Sequence, residues 1–191
     1  MVIAAHPDDD ILGCGGTLNK LKRQGSDVRV VFIAEGTTCR YPNPEYYDQK
    51  LIRNQIKHRN DCGIKALQKL GVDNYVFHDL PCGKLDQEPV INIGKIIERE
   101  IRQYEPDVIF THSKSDVNKD HQIVYQATLQ STRPGALNNV NFLLTYEVLS
   151  SSEWNFADPF APNFFVEICK KDVDKKVEAM AEYDTEIKPL P

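Results

Sequence analysis

The feature that most constrains this chain is an alternation of short apolar runs with longer stretches of helical periodicity. That order folds into a mostly parallel sheet flanked by helices. Met1 to Ala5 reads as the first strand, Ile11 to Gln24 as a helix closed by Gly25, and Val28 to Ala34 as a second, buried strand. A polar loop from Glu35 to Asn43 leads into a helical stretch from about Glu45 to Leu70, which Gly71 stops. Asn74 to His78 is predicted as a third strand. Ile93, Ile96, Ile97 and Ile101 then recur at helical spacing until Pro106, and Val108 to Thr111 forms a fourth strand that becomes loop at His112. A further helix is expected to begin near Asp120, strands over Phe142–Val148 and Asn163–Ile168, and a closing helix over Asp172–Thr185. With 191 residues and neither repeats nor a linker, the chain reads as a single α/β domain.

Charge and apolar content exclude several partner classes. The net charge is −5 and the 23 lysines and arginines are scattered, so there is no basic footprint for a nucleic-acid backbone. No apolar run approaches the roughly 18 residues of a membrane span. The five cysteines (Cys14, Cys39, Cys62, Cys82, Cys169) are widely spaced and form no CxxC pair, which fits a reducing cytoplasm. A homo-oligomer is compatible with all of this. The first chemistry-bearing residue is already His6 and the chain ends on Lys188-Pro189-Leu190-Pro191, so the natural protein is expected to be longer at one or both ends.

Two loops carry the chemistry. His6-Pro7-Asp8-Asp9-Asp10 follows the first strand, at the carboxyl edge of the sheet where open α/β folds bind ligands. Three successive carboxylates repel one another, and a divalent cation beside the histidine is the economical way to offset that repulsion. Helix capping would explain one or two of the aspartates but not the histidine. The second loop runs from His112 to His121 with Asp116, Asn118 and Asp120 between them, again from strand end into helix. Imidazole and carboxylate donors suit zinc or another first-row divalent ion, and His6, one aspartate and His121 would supply the three protein ligands of an open catalytic site.

The glycines of Gly13-Cys14-Gly15-Gly16 admit a rival, a nucleotide-binding loop with Glu35 placed to meet a ribose. The third glycine of that fingerprint would fall at Leu18, and the three aspartates would face a pyrophosphate with like charge. The glycines are better read as letting the first helix pack closely on the sheet. His58 and His78 are isolated and read as structural or surface residues. Trp154, in the segment Ser150 to Phe160, could stack on a sugar ring or simply pack.

These motifs resemble the PIG-L/LmbE family of metal-dependent N-acetylglucosamine-type deacetylases. The likeness is carried by Ala5-His6-Pro7-Asp8-Asp9-Asp10, by Leu12-Gly13-Cys14-Gly15-Gly16-Thr17-Leu18 behind it, and by Asp116-Val117-Asn118-Lys119-Asp120-His121. The resemblance implies a Rossmann-like fold, with zinc or a similar divalent ion on His6, Asp9 and His121 and with Asp8 as general base. Asp10, and on the second loop Asp120, are expected to support the ligands. Arg59, twelve residues before Gly71, resembles a family arginine near the substrate. The implied reaction removes the acetyl group from an N-acetylated sugar or sugar conjugate. A Rossmann-type nucleotide-binding enzyme and a catalytically idle module that binds metal and sugar are the alternatives. This chain departs from the family where Asp10 replaces the usual glutamate and where Asn118 replaces a histidine three residues before the last ligand. Asn118 can donate a hydrogen bond but carries no proton at neutral pH. Protonation of the leaving amine therefore falls to Asp8 recycling its proton, to His112 or to water.

Overall fold

The computed structural model describes residues 1–135 and 139–186, apart from the side chain of residue 44. Its centre is one parallel sheet of β1 (Val2–Ala4), β2 (Arg29–Ala34), β3 (Asn74–Leu80), β4 (Val108–His112) and β5 (Phe142–Tyr146), in the order β3-β2-β1-β4-β5. The chain builds outward from β1 to β3 and then returns to the other side of β1. The order therefore reverses between β1 and β4, and a crevice opens at their carboxyl ends.

The helices are α1 (Asp9–Arg23), α2 (Gln49–Lys69), α3 (Val90–Tyr104), α4 (Lys119–Thr132) and α5 (Lys170–Met180). Side-chain alternation divides them between two faces. Val2, Ala4, Val30 and Phe32 pack with Ile11 and Leu18 of α1, Ala66 and Leu67 of α2, and Ala179 of α5. Met1, Ile3, Ala5, Val31 and Ile33 pack with Ile93, Ile97 and Ile101 of α3 and with Ile123, Val124 and Ala127 of α4. With both faces covered, β1 and β2 are nearly uninterrupted in apolar residues, as parallel strands require.

The glycines of α1 have the packing role. A Cβ on Gly13 would lie 2.2 Å from Cδ2 of Tyr146 in β5, and one on Gly16 would lie 2.8 Å from Cδ1 of Ile168. The helix can approach its neighbours only because those side chains are missing.

Several expected boundaries move. Residues 163–168 form no strand. Ile168 packs on Gly16 and Lys20 Nζ donates to the Glu167 carbonyl, so this segment is drawn across α1 instead of pairing with β5, and Phe164 and Phe165 stay exposed. The long helix starts at Gln49, where Asp48 accepts from the Lys50 N–H at 2.8 Å, and not at Glu45. The last helix ends at Met180, because Tyr183 turns inward to be fully buried in the core. β5 stops at Tyr146, and the expected extension to Val148 instead begins a turn in which the Val148 N–H meets Ser152 Oγ.

Candidate metal centre

β1 delivers residues 5–10 and β4 delivers residues 112–121 to the two sides of the crevice. A hydrogen bond from the Ala5 N–H to His112 Nε2, 2.8 Å, ties the two loops together. Asp8 occupies the position before α1 but its side chain makes no capping bond there, and its φ is 125°. An L residue in that region costs on the order of 1–3 kcal/mol, and such strain collects at sites the surrounding structure must hold in place. The strained turn folds Asp9 back so that its Oδ2 accepts from the His6 N–H at 2.8 Å. The adjacent carboxylates of Asp8 and Asp9 thereby go to different partners.

Asp9 is the focus. Its Oδ2 lies 3.3 Å from His6 Nδ1 and 3.3 Å from His121 Nε2. Donors about 2.0–2.1 Å from a tetrahedral ion stand about 3.3 Å apart; both separations to Asp9 match that figure, and the three atoms lie within 4.8 Å of one another. The opposite ring nitrogens are held by carboxylates. His6 Nε2 meets Asp120 Oδ2 at 2.9 Å, and Asp120 also accepts from the Gly83 and Leu85 N–H groups. His121 Nδ1 meets Asp116 Oδ2 at 2.9 Å, and the same oxygen accepts from the Ser151 and Ser152 hydroxyls. Imidazoles that ligate metals are oriented in this way, by an acceptor on the far nitrogen. His121 Nε2 is buried and has no hydrogen-bond partner, a costly arrangement that a cation would satisfy.

The pocket stabilises positive charge. Burial opposes protonation of His6, yet the hydrogen bonds to Asp120 and Asp9 outweigh it and carry its pKa up to about 10. Burial likewise opposes charge on His121, but Asp9 and Asp116 raise it to about 9. Burial works against ionised Asp9, while the charge on neighbouring His121, with His6 beside it, holds its pKa well below the usual carboxylate range. A divalent ion on these donors would replace that proton charge.

The other predicted residues divide. Asp8 Oδ2 accepts from buried Arg59 Nη2 at 2.8 Å; burial and the Asp9 charge push Asp8 up to about 7, against the pull of Arg59 and His6. Arg59 also meets Glu186, through a close contact, and Thr185 Oγ1 at 3.1 Å. Asp10 is fully buried and neither of its carboxyl oxygens has a partner; burial, then Asp8 and Asp9, push it up to about 8. His112 is fully buried and stacks on His121 with ring centroids 4.0 Å apart. Its Nε2 accepts the Ala5 N–H, so the 3.5 Å approach to Asp9 Oδ2 is not an ion pair. Burial, followed by the His121 charge, lowers its pKa well below the imidazole range. Asn118 caps α4, its Oδ1 accepting from the Asp120 N–H at 3.0 Å. Trp154 is 60% exposed, on a turn joined to the centre through Ser151, Ser152 and Asp116, and its ring meets the edge of Phe156. His58 is exposed beside Asp184, and His78 Nε2 lies 3.2 Å from Glu100 Oε1.

Residues without an assigned role in the sequence reading hold this arrangement. Asp116 orients His121; its place in the motif was visible, but the fold alone brings Ser151 and Ser152 to it. Glu35 is not free for a ribose: its carboxylate accepts from the Thr37 and Thr38 N–H groups and from the Cys82 N–H at 2.9 Å. The closing segment that contributes Thr185 and Glu186 to Arg59 carried no signal in the sequence.

Comparison with known proteins follows the same lines. The family model "PIG-L: GlcNAc-PI de-N-acetylase" matches residues 1–132. A protein of Escherichia coli K12 described as an uncharacterized deacetylase, YaiS, is 25% identical over 96% of this chain and 89% of its own. Among solved structures, the N,N'-diacetylchitobiose deacetylase of Pyrococcus horikoshii is 20% identical with a TM-score of 0.76, over 98% of this chain and 70% of that one. The 4-carboxy-2-hydroxymuconate hydratase of Pseudomonas putida KT2440 is 19% identical with a TM-score of 0.71, over 97% of this chain and 78% of that one. These two likenesses are of fold, and the second shows that the fold also carries other chemistry. No helix among the described residues is long and apolar enough to cross a membrane.

Proposed function

The chain belongs to the PIG-L family, and on that premise we propose that it is a metal-dependent hydrolase that removes the N-acetyl group from an N-acetylated sugar or sugar conjugate and releases acetate. The observation that carries this reading is the convergence on Asp9 Oδ2 of His6 and His121, with a second, separately held carboxylate, Asp8, beside it. His6, Asp9 and His121 would hold the ion, and this nitrogen-and-oxygen donor set suits zinc or another first-row divalent metal. Such a cation supplies Lewis acidity to an amide carbonyl and makes a water more acidic.

The protein's own part is proton transfer and positioning. Asp8 accepts the proton of the attacking water as its oxygen adds to the acetyl carbon. It then returns that proton to the amine nitrogen as the C–N bond breaks. Burial and the Asp9 charge raise the Asp8 carboxyl above the ordinary carboxylate range, which suits it to return a proton as well as to accept one. Arg59 fixes the Asp8 carboxylate and keeps part of it ionised. Asn118, with Oδ1 committed to capping α4, offers Nδ2 to the carbonyl oxygen. His112 serves as a wall that stacks on His121; its buried, weakly basic ring does not carry the proton. Trp154 offers an exposed ring face to the sugar.

A nucleotide-binding role is disfavoured because Glu35 is consumed by its own loop and carboxylates line the crevice. An idle binder would have no need of Asp8 held beside the ligands by a buried arginine. The test is acetate release from a panel of N-acetylhexosamines and their conjugates, by protein loaded with Zn2+ and by protein stripped with a chelator. Release that depends on metal supports the proposal; no release from any member of the panel would refute it.

A further inference from the structure

Outside the centre, α2 and the segment after α5 bring together a second group of donors. His58 and Cys62 are four residues apart and so share one face of α2. Asp184 comes from the turn that follows α5. His58 Nε2 lies 2.9 Å from Asp184 Oδ1, Cys62 Sγ lies 3.8 Å from the same oxygen, and Cys62 Sγ lies 3.9 Å from His58 Nε2. We propose that His58, Cys62 and Asp184 form a second divalent-cation site, for a thiophilic first-row ion such as Zn2+ or Co2+.

The spacing is close to what such an ion needs. With bonds of about 2.0 Å to nitrogen and oxygen and about 2.3 Å to sulfur, tetrahedral donors stand about 3.3 Å apart for N and O and about 3.6 Å apart when one is sulfur. Each observed separation is within about half an ångström of that. His58 and Asp184 are exposed while Cys62 is buried beneath them, so the sulfur closes the floor and the open side leaves a position for water. On binding, the Cys62 thiol loses its proton to solvent, and the His58 proton resides on Nδ1 so that Nε2 can donate its lone pair. An exposed His–Asp pair alone would contribute only about 0–1 kcal/mol, and a thiol is a weak hydrogen-bond donor.

The position gives the site a consequence. Asp184 is flanked by Tyr183, whose ring lies 5.3 Å from the Arg59 guanidinium, and by Thr185 and Glu186, which meet Arg59 Nη1. Arg59 in turn holds Asp8. A cation at His58, Cys62 and Asp184 would pin the segment that buttresses Arg59, on a donor set separate from the first centre. The inference stands whether or not that centre hydrolyses amides.

The two centres differ in one property that can be read directly: only the second contains sulfur. Metal-free protein, kept reduced with a phosphine, is titrated with Co2+ and followed for the thiolate-to-cobalt charge-transfer band in the near ultraviolet. Two equivalents are expected, one of them producing the band. His121→Ala should lose the sulfur-free equivalent and keep the band. Cys62→Ser, His58→Gln and Asp184→Asn should each lose the band and keep the other equivalent; the latter two are exposed substitutions and carry the test if Cys62→Ser does not fold. His6, Cys82 and Asp120 also lie close together and include a thiol, so Cys82→Ser is the control and should leave the band intact. Uptake of one equivalent with no band, or a band that disappears with Cys82→Ser and survives His58→Gln, would overturn the proposal.

Discussion

The loops after β1 and β4 differ sharply from the loop after β5. In the first two, His6, Asp8, Asp9 and His121 are buried, and the far nitrogens of His6 and His121 are each held by a carboxylate, itself held by backbone N–H groups or hydroxyls. In the third, Trp154 and Phe156 are exposed, and the loop is fastened to the centre by small hydroxyls and by Asn155 Nδ2 on the Ser115 carbonyl. Ligands and a base need fixed geometry, and burial with outer hydrogen bonds supplies it. A surface that meets a sugar can be open and adaptable. On this account, substitutions in the first region remove metal or turnover, and those in the second change substrate affinity.

The largest effect is expected at His121. His121→Ala should lose the metal equivalent held with His6 and Asp9 and reduce turnover to the blank, as measured by elemental analysis and acetate release. Next in size is Asp116→Asn, which leaves every ligand in place but removes the carboxylate behind His121; metal affinity or activity should fall by about 10- to 100-fold. An unchanged affinity would mean that Asp116 merely packs.

The pH profile sharpens the roles of Asp8 and Arg59. Asp8 works only when ionised, so with its pKa near 7 in the metal-free protein, turnover should fall as pH drops through an acidic limb at or below neutrality, a bound cation moving the limb lower. Arg59 charge favours the ionised carboxylate. Arg59→Gln should therefore raise the Asp8 pKa and move the limb to higher pH, whereas a limb that stays fixed would assign it to another group. The smallest effect is expected from the outer loop: Trp154→Ala should raise KM by roughly fivefold, equivalent to about 1 kcal/mol of ring contact, with kcat little changed. Loss of stability with KM unchanged would return Trp154 to a packing role.

The same contrast explains what could be read from the sequence. The alternation of runs located each strand of the sheet, most plainly β1 and β2, which are buried on both faces and so are apolar nearly throughout. That His6, Asp9 and His121 would meet was legible, because both motifs stand at the ends of strands, and the structure brings the three side chains together. Asp10 was legible only as a charge. That it is buried without a partner depends on how α1 seats against its neighbours. The false strand at 163–168 came from an apolar run that is real but exposed, and it is the contacts of Ile168 with Gly16 and of Glu167 with Lys20 that show where it goes. Arg59 could be marked as a site residue, but its hold on Asp8 spans about fifty residues of sequence and its contacts with Thr185 and Glu186 more than a hundred, and none has a local pattern.

The central claim is that adjacent carboxylates divide the work, Asp9 for the ion and Asp8 for the proton. The most direct measurement is metal content and turnover of Asp8→Asn in one preparation, beside the unsubstituted protein. Metal content should be the same and turnover lower by roughly a hundredfold or more, since the amide keeps the shape and loses the base. Loss of the metal from Asp8→Asn, or turnover close to that of the unsubstituted protein, would contradict it.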